Sequence, residues 1–246
     1  MLLPLAMQSV CAAVPLRLVL NDQSSPPYLL GNGAELENPP GLVVELVQQA
    51  AQACDVSLQV ERQSSLRQLQ SLRTGNADAV PLLSYSPERA QYASYPMRHG
   101  QPDPRFRLTT LAYSFYVRKG SPVRWDGKQL SGYRGKVGTD LGWSVAGDLA
   151  RLGIAVENAV GVATNLAKLR LGRIDVYAAQ DVLVAALLQG DHGLVALRPA
   201  IVTKDYYLPF SLQFSQQYGQ VVQCMWQQTA GRRAVLYQRR GPSYGN

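Results

Sequence analysis

The sequence has few of the side chains that bind metals: only two histidines, His99 and His192, occur among 246 residues, and neither has metal-ligand spacing. A zinc site is therefore not expected. The sequence also lacks a phosphate-binding P-loop, and the G-N-G at residues 31–33 lacks the rest of the dinucleotide fingerprint. The stretch around Ser144 has the spacing of a nucleophile elbow, but Ala146 stands where the second glycine belongs. We expect no metal, no cofactor and no catalytic residue.

No apolar run approaches the roughly 20 residues that a membrane-spanning helix needs. The hydrophobic content of 46% and the charged content of 17% are typical of a folded chain, long enough for one large domain or two of about 100 to 120 residues. The formal net charge of +7 suggests an anionic partner. However, the basic residues are scattered, and the pairs 232–233 and 239–240 lie on one terminal helix that matches no recognised nucleic-acid module. A solvated helix face is the favoured interpretation, and we expect no nucleic-acid partner.

Residues 1–13 are apolar and uncharged and end in small residues, which is typical of a segment that precedes a signal-peptidase cut. The positively charged start of a signal peptide is missing, so either the true start lies upstream or the segment is a buried first element. We expect export to the periplasm, and the residues before Cys11 do not suggest a lipid anchor. Cys54 and Cys224 then either pair in an oxidising compartment or remain two buried thiols.

A helix followed by a buried strand is predicted between residues 66 and 89. Leucines recur at every third position from 66 to 72, and Gly75 stands where a helix end favours a left-handed residue. The apolar run 77–83 has the length of a parallel strand buried on both faces. Ser84 and Arg89 follow it, and therefore lie just beyond a strand's carboxyl end, where open α/β sheets bind ligands.

The chain contains a second copy of this unit. Its members are Leu166, Leu169, Arg170, Gly172 and Asp175, spaced much like Leu69, Leu72, Arg73, Gly75 and Asp78. Ser84 lies six residues after the aspartate of the first copy, and Asp181 lies six residues after that of the second. Two similar lobes facing each other would bring Ser84, Arg89 and Asp181 together.

With these features the chain resembles the family 3 periplasmic solute-binding proteins, the two-lobed receptors that pass polar amino acids to ABC importers. The motifs that carry the resemblance are at residues 21–28, 41–46, 72–80, 84–89, 116–121, 135–138 and 172–176. The resemblance implies a type II periplasmic-binding-protein fold of class α/β. Each lobe would be a doubly wound, mainly parallel sheet with helices on both faces, and two extended hinge crossings would join the lobes. Predicted boundaries are a signal peptide at 1–13, lobe 1 at 14–111 and 206–246, and lobe 2 at 112–205.

The resemblance also implies how the first lobe binds a ligand. Arg89 would grip the ligand's α-carboxylate with its rigid fork of donors; the alternative is a surface arginine paired with an acidic neighbour. Ser84 would add its hydroxyl, or would instead cap a turn. The Leu82 carbonyl would accept from the ligand's ammonium. Pro81, Leu82 and Leu83 replace the small or hydroxyl residues of many family members, so we expect a more apolar wall here.

In the second lobe, Asp181 would pair with the ammonium group, or would cap the helix that follows it. The loop of Gly142, Trp143 and Ser144 would complete the carboxylate site with backbone N–H groups. Two residues of the first lobe have a further predicted role: Asp22 would assist or cap a turn, and Tyr28 would sandwich an apolar ligand part with Trp143 or belong to the core.

We therefore expect a monomeric receptor that captures a small zwitterionic ligand in the cleft between the lobes, an amino acid or related carboxylate, and presents it to an ABC permease. One alternative is a ligand-sensing domain without a transporter. The other is an enzyme similar to cyclohexadienyl dehydratase, whose acid closely follows the equivalent of Asp181. Here residues 182–184 are Val, Leu and Val, so no carboxylate occupies that place.

Overall fold

The computed structural model of the chain describes residues 12–188 and 191–244, so the predicted leader lies outside the described residues except for Ala12 and Ala13. Strands and helices alternate from the start. The first elements are β1 (Val14–Asn21), α1 (Leu42–Ala53), β2 (Val56–Gln63), α2 (Ser65–Thr74), β3 (Leu83–Ser84), α3 (Pro87–Ala90), β4 (Ala93–Ser94), β5 (Met97–Arg98), β6 (Gln101–Pro102) and a 3-10 turn (Pro104–Phe106).

A second group of alternating elements begins with the longest strand. Its members are β7 (Thr109–Arg118), β8 (Arg124–Trp125), β9 (Leu130–Ser131), β10 (Val137–Asp140), α4 (Val145–Arg151), β11 (Val156–Ala159), α5 (Val162–Arg170), β12 (Val176–Gln180), α6 (Asp181–Leu187), β13 (Leu194–Ala196) and β14 (Val202–Tyr207). The described chain then ends with β15 (Phe210–Ser211), α7 (Leu212–Gln217), α8 (Gly219–Arg240) and a second 3-10 turn (Gly241–Tyr244).

The sheet of the second lobe has the strand order β11-β10-β12-β7-β14-β3, with β13 also paired to β7. Strands β11, β10 and β12 are parallel, whereas β7 runs antiparallel to β12 and to β14. Strands β7 and β14 are the two segments that carry the chain between the lobes. They pair over five residues, from Thr109 with Tyr206 to Tyr113 with Val202, so the two crossings lie side by side.

The sheet of the first lobe differs from the predicted one. Strands β1 and β2 are parallel over eight residues, but the predicted strand at 77–83 contributes only a parallel bridge from Ala79 to Leu18 and an antiparallel bridge from Ala79 to Phe210. The regular strand stops at Pro81, which has no N–H to donate, and at Leu82, whose φ of 57° is left-handed. Pairing resumes in β3, which is antiparallel to β14.

The sequence also predicts helices at 88–95 and 216–237 and an exposed loop at 96–107, and both of these helices have different limits in the structure. The helix expected at 88–95 is only α3, because Ala93 and Ser94 pair with β15 instead. The helix expected at 216–237 is divided into α7 and α8 at Tyr218. Helix α2 ends at Gly75 with φ 74°, which confirms the predicted left-handed cap. The predicted loop 96–107 contains the β5–β6 hairpin.

Separate hydrophobic clusters fill the two lobes. The largest cluster of the first lobe packs α1 and α8 against β1, with Leu18, Leu46 and Met225 fully buried. In the second lobe, alternate residues of β12 enter two clusters on opposite faces of the sheet: Val176 and Ala178 on one face, Tyr177 and Ala179 on the other. Packing in these clusters fixes the positions of the strand ends that meet between the lobes. The predicted lobe boundaries stay a prediction.

Cys54, which caps α1, is joined by a disulfide bond to Cys224 in α8, with 6.0 Å between their Cα atoms. Of the two alternatives that the sequence left open, the structure has the paired one. The bond ties together two helices that are 170 residues apart in sequence. Among the described helices, none combines the length and the apolar character that a membrane span requires.

Candidate functional site

A cavity of about 110 Å³ lies between the lobes, at the carboxyl ends of β1 and β12 and beside the turn after Leu83. Six of the nine predicted site residues line it: Leu82, Ser84, Arg89, Gly142, Trp143 and Ser144. The apolar part of the wall comes from both lobes and includes Leu20, Leu29, Val43, Leu69, Leu111 and Leu183. The cavity is therefore a mainly apolar space with a few convergent polar groups, which is typical of a small-ligand site.

Arg89 is held at the end of the short helix α3 with only 7% of its surface exposed. Its Nη1 donates to the backbone oxygen of Ser84 at 2.8 Å and to the Ser84 Oγ at 3.0 Å, and its Nη2 donates to the backbone oxygen of Gly142 at 3.2 Å. A guanidinium has five N–H groups, so the Nε–H and one Nη2–H have no hydrogen-bond partner among the described residues. These two groups suit the two oxygens of a carboxylate.

Serine hydroxyls from the two lobes meet beside Arg89. The Oγ atoms of Ser84 and Ser144 are 3.0 Å apart, and the Nζ of Lys204 donates to the Ser144 Oγ at 3.0 Å. Lys204 also pairs with Asp148. Burial lowers the pKa of Lys204, and the bond to the Asp148 carboxylate opposes that change. The Ser84 to Ser144 contact is thus a direct polar bridge across the cleft.

The loop before α4 approaches the first lobe closely at Gly142. This residue has φ 81°, and a Cβ atom on it would lie 3.1 Å from the Cδ2 of Leu66 in α2. Both the left-handed backbone and the close packing favour glycine here. The Trp143 ring packs edge to face on Tyr113 with 5.8 Å between centroids. The loop therefore forms one wall of the cavity, and its predicted binding of a carboxylate through backbone N–H groups stays a prediction.

Leu82 is the residue of the wall with an unusual backbone. Its φ of 57° is left-handed, a region that branched and bulky residues rarely adopt and that stores strain. Its side chain packs against a cluster of each lobe and lines the cavity. The strain therefore sits at a position that shapes the cavity.

Several polar residues that line the cavity were not among the predicted site residues, and three of them form a hydrogen-bonded group: Tyr113, Gln180 and Tyr206. The hydroxyls of the two tyrosines are 2.7 Å apart, and the Gln180 Nε2 donates to both, at 2.9 Å to Tyr113 and 2.6 Å to Tyr206. Burial raises the pKa of both tyrosines, so the hydroxyls stay protonated at neutral pH. Strand alternation could have found Gln180, because it follows Val176 and Ala178 on one face of β12.

The other three predicted residues do not line the cavity. Asp181 accepts hydrogen bonds from the Tyr116 hydroxyl at 2.9 Å and from the Arg198 Nη1 at 2.8 Å. Tyr28 packs between the clusters of both lobes, with its ring 6.2 Å from that of Tyr237. Asp22 lies just after β1, where its N–H donates to the Gln63 oxygen at the end of β2 and its own oxygen accepts from the Gly33 N–H. The roles predicted for these three residues as ligand contacts stay predictions.

A larger outer cleft of about 860 Å³ adjoins the cavity and shares Leu69, Ser84, Arg89, Gly142, Trp143 and Ser144 with it. The outer cleft is rich in charge. Its carboxylates each have a cation partner: Asp148 with Lys204, Glu88 with Arg73 at 3.3 Å, and Asp205 with Arg107 at 3.7 Å. In residues 12–188 and 191–244, no three His, Cys, Asp or Glu side chains are grouped so as to hold a metal ion.

No protein-family model matches the chain, and no curated protein matches it in sequence. Solved structures do match. A histidine kinase sensor domain with similarity to periplasmic binding proteins is 17% identical, with a TM-score of 0.73, and the match covers 94% of this chain and 96% of that one. The substrate-binding protein of an amino acid ABC transporter is 12% identical, with a TM-score of 0.69 and coverage of 92% and 98%.

The GluR0 ligand-binding core from Nostoc punctiforme in complex with L-glutamate is 16% identical, with a TM-score of 0.68 and coverage of 92% and 98%. At these identities the matches show the fold. The chain has the two-lobed type II periplasmic-binding-protein fold of class α/β, as the sequence predicts.

Proposed function

We propose that this chain is a solute-binding receptor that captures a small carboxylate ligand between its two lobes, in the periplasm, for ABC import. The similar structures are binding proteins and a sensor domain, and one of them is described as the substrate-binding protein of an amino acid ABC transporter. The bond between Cys54 and Cys224 supports an oxidising compartment. We assign no chemical reaction to the cavity, and the proposed function is therefore binding and not catalysis.

The observation that carries this proposal is the position of Arg89. Its guanidinium is buried, lines the cavity, and has two N–H groups without a partner among the described residues. A buried cation is expected to have an opposite charge to compensate it. A carboxylate that accepts from both groups would supply that charge with the geometry of a bidentate pair.

Closure of the lobes would follow from contacts to both of them. The cavity takes Leu82, Ser84 and Arg89 from the first lobe, and Trp143 and Ser144 from the second. A ligand that touches both sides binds the closed state more tightly than the open state, and it shifts the equilibrium by that difference in affinity. The crossings β7 and β14 are the segments about which such a motion would turn.

Thermal melting of residues 14–246 against a panel of small carboxylates tests the proposal. A ligand at a hundred times its dissociation constant adds about 2.7 kcal/mol to the free energy of unfolding, which moves the melting point by roughly 5 to 10 °C in a chain of this size. Replacing Arg89 by Ala should weaken binding at least tenfold, since a charge-assisted hydrogen bond contributes about 1.5 to 3 kcal/mol. The Arg89→Lys variant should recover part of this loss, because lysine keeps the charge but not the fork.

Arg67→Ala is the matched control. Arg67 lies in α2 on the same lobe, is exposed, and does not line either cavity. This variant loses the same charge and should bind like the wild type. A shift that is equal in wild type and in Arg89→Ala, or no shift with any carboxylate, would contradict the proposal. Prephenate belongs in the panel, because its turnover would favour the dehydratase alternative.

The sensor domain of a histidine kinase, with a TM-score of 0.73, favours a second candidate function, ligand sensing without transport. Both functions use the same cavity, so binding alone does not separate them. Uptake of the labelled ligand by cells with and without the gene does. Loss of uptake in the deletion strain would support the import function, and unchanged uptake would support the sensor.

A further inference from the structure

The charge of the cavity is unbalanced in a way that restricts its ligand. Among the described residues that line it, Arg89 carries the only formal charge, and the other polar side chains are neutral amides and hydroxyls. A ligand with one negative charge would neutralise this cavity. A zwitterion would bring an ammonium group that leaves the net positive charge in place.

Asp181, the candidate partner for an ammonium group, is already hydrogen-bonded to two other side chains. Its Oδ1 accepts from Tyr116 and its Oδ2 accepts from Arg198, both in the second lobe. Neither Tyr116 nor Arg198 lines the cavity. Both oxygens of the Asp181 carboxylate are thus bound to side chains outside the cavity.

Gln180 is the last residue of β12, and its side chain lines the cavity. Its amide holds the hydroxyls of Tyr113 and Tyr206, which are also hydrogen-bonded to each other. Only one hydroxyl hydrogen is needed for the bond between the tyrosines, so the other remains for a further acceptor. This group of three offers neutral partners to a ligand and supplies no charge to compensate an ammonium group.

The described residues that line the outer cleft do not supply a free carboxylate either. Each carboxylate that lines it is paired with a cation, and the most enclosed of them, Asp148, is bound to Lys204. An ammonium group placed there would compete with a cation that is already present. The apolar part of the inner cavity's wall is mainly leucine and valine, which suits a short apolar chain.

We infer that the ligand is a small monocarboxylate with an apolar chain and no ammonium group, and that Gln180 is the specificity-determining residue that disfavours amino acids. The inference rests on the proposed function, since it assumes that Arg89 binds the ligand's carboxylate. It names the chemical class of that ligand: an unsubstituted or 2-hydroxy carboxylic acid. A buried ammonium group without a counter-charge should weaken binding at least tenfold.

Sets of acids that share a carbon skeleton test this inference by calorimetric titration. The skeletons are those of alanine, valine, leucine and phenylalanine, each used as the L-amino acid, the 2-hydroxy acid and the unsubstituted acid. At least one unsubstituted or 2-hydroxy acid should bind at least tenfold more tightly than the amino acid of the same skeleton. Tighter binding of the amino acid in every set, with the affinity lost in Arg89→Ala, would overturn the inference and keep the proposed function. Binding of no acid from any set would overturn both.

Substitution of Gln180 separates a role in specificity from a role in structure. Gln180→Glu keeps the shape, replaces the donating amide by a carboxylate that can accept from the tyrosine hydroxyls, and adds the missing negative charge. The ratio of the affinity for the amino acid to that for the unsubstituted acid should rise at least tenfold in this variant. The uncharged control, Gln180→Met, should not raise that ratio. An unchanged ratio in Gln180→Glu, or a tenfold fall of the ratio in Asp181→Asn, would contradict the inference.

Discussion

Arg89 in the first lobe donates a hydrogen bond at 3.2 Å to the backbone oxygen of Gly142 in the second lobe. One polar contact thus links helix α3 to the loop before α4, and residues of both segments line the cavity. A carboxylate bound by Arg89 would lie where the two lobes already approach each other. The residues that are proposed to bind the ligand are therefore also residues through which the two lobes contact each other.

Ser84 and Ser144 should show energetic coupling if the lobes touch in solution as they do here. Their Oγ atoms are 3.0 Å apart. A neutral hydrogen bond contributes about 0.5 to 1.5 kcal/mol net. A double-mutant cycle of Ser84→Ala and Ser144→Ala, measured by urea unfolding, should give a coupling energy in that range. A coupling energy near zero would indicate that the lobes are separated in solution.

The bond between Cys54 and Cys224 should stabilise the chain without affecting the cavity. It closes a loop of 170 residues and joins helices α1 and α8. Replacing both cysteines by Ser should lower the free energy of unfolding by about 2 to 5 kcal/mol. Neither cysteine lines either cavity, so the affinity for a bound carboxylate should stay within twofold. Equal stability of the two proteins under oxidising conditions would argue against the bond.

Asp140 should make stability depend on pH. Burial raises the pKa of this carboxyl to about 6, against its hydrogen bond from the Tyr177 hydroxyl, which lowers it. Because the folded state holds the proton more tightly than the unfolded chain does, the stabilisation is complete below about pH 4 and is lost as the pH rises through 6. The loss is on the order of 2 to 3 kcal/mol.

The variant Asp140→Asn removes this titration and keeps an acceptor for Tyr177. Its free energy of unfolding relative to wild type should therefore increase between pH 4 and pH 7.5, by roughly the same 2 to 3 kcal/mol. Urea unfolding at the two pH values measures the change. A relative stability that is the same at both pH values would contradict the raised pKa of Asp140.

Leu82 should reverse the usual order of alanine and glycine substitutions. Its left-handed φ of 57° is strained for any residue with a Cβ atom, by about 1 to 2 kcal/mol. Leu82→Gly and Leu82→Ala both remove the side chain from the cavity wall, but only glycine relieves the strain. Urea unfolding should therefore find Leu82→Gly more stable than Leu82→Ala by about 1 kcal/mol. The opposite order would show that the backbone changes its conformation in these variants.

Much of the fold and of the site could be predicted from the sequence, because hydrophobic spacing and turn residues act locally. The helix that ends at Gly75 and the placement of Ser84 and Arg89 beside a cleft followed from such patterns. The resemblance to two-lobed receptors pointed to the loop at 142–144, which lines the cavity, and the role of this loop in ligand binding stays a prediction.

The polar side chain that lines the cavity at the end of β12 could not be predicted by counting residues. Ser84 and Asp181 lie at equal distances from their aspartates in sequence, but left-handed Leu82 interrupts the first strand, whereas β12 runs regularly to Gln180. Equal spacing therefore leads to different positions, and Gln180 reaches the cavity instead of Asp181. Tyr113 and Tyr206 come together only through the pairing of β7 with β14, which joins residues about 90 positions apart.

The most direct test of the account is a crystal structure with the carboxylate that gives the largest shift in melting point. We expect the ligand to lie between the lobes, with its carboxylate oxygens within about 3.2 Å of the Arg89 guanidinium nitrogens. Its apolar chain should contact Leu82 and Trp143. A ligand bound outside this cavity, or a carboxylate in the cavity that makes no hydrogen bond to Arg89, would contradict it.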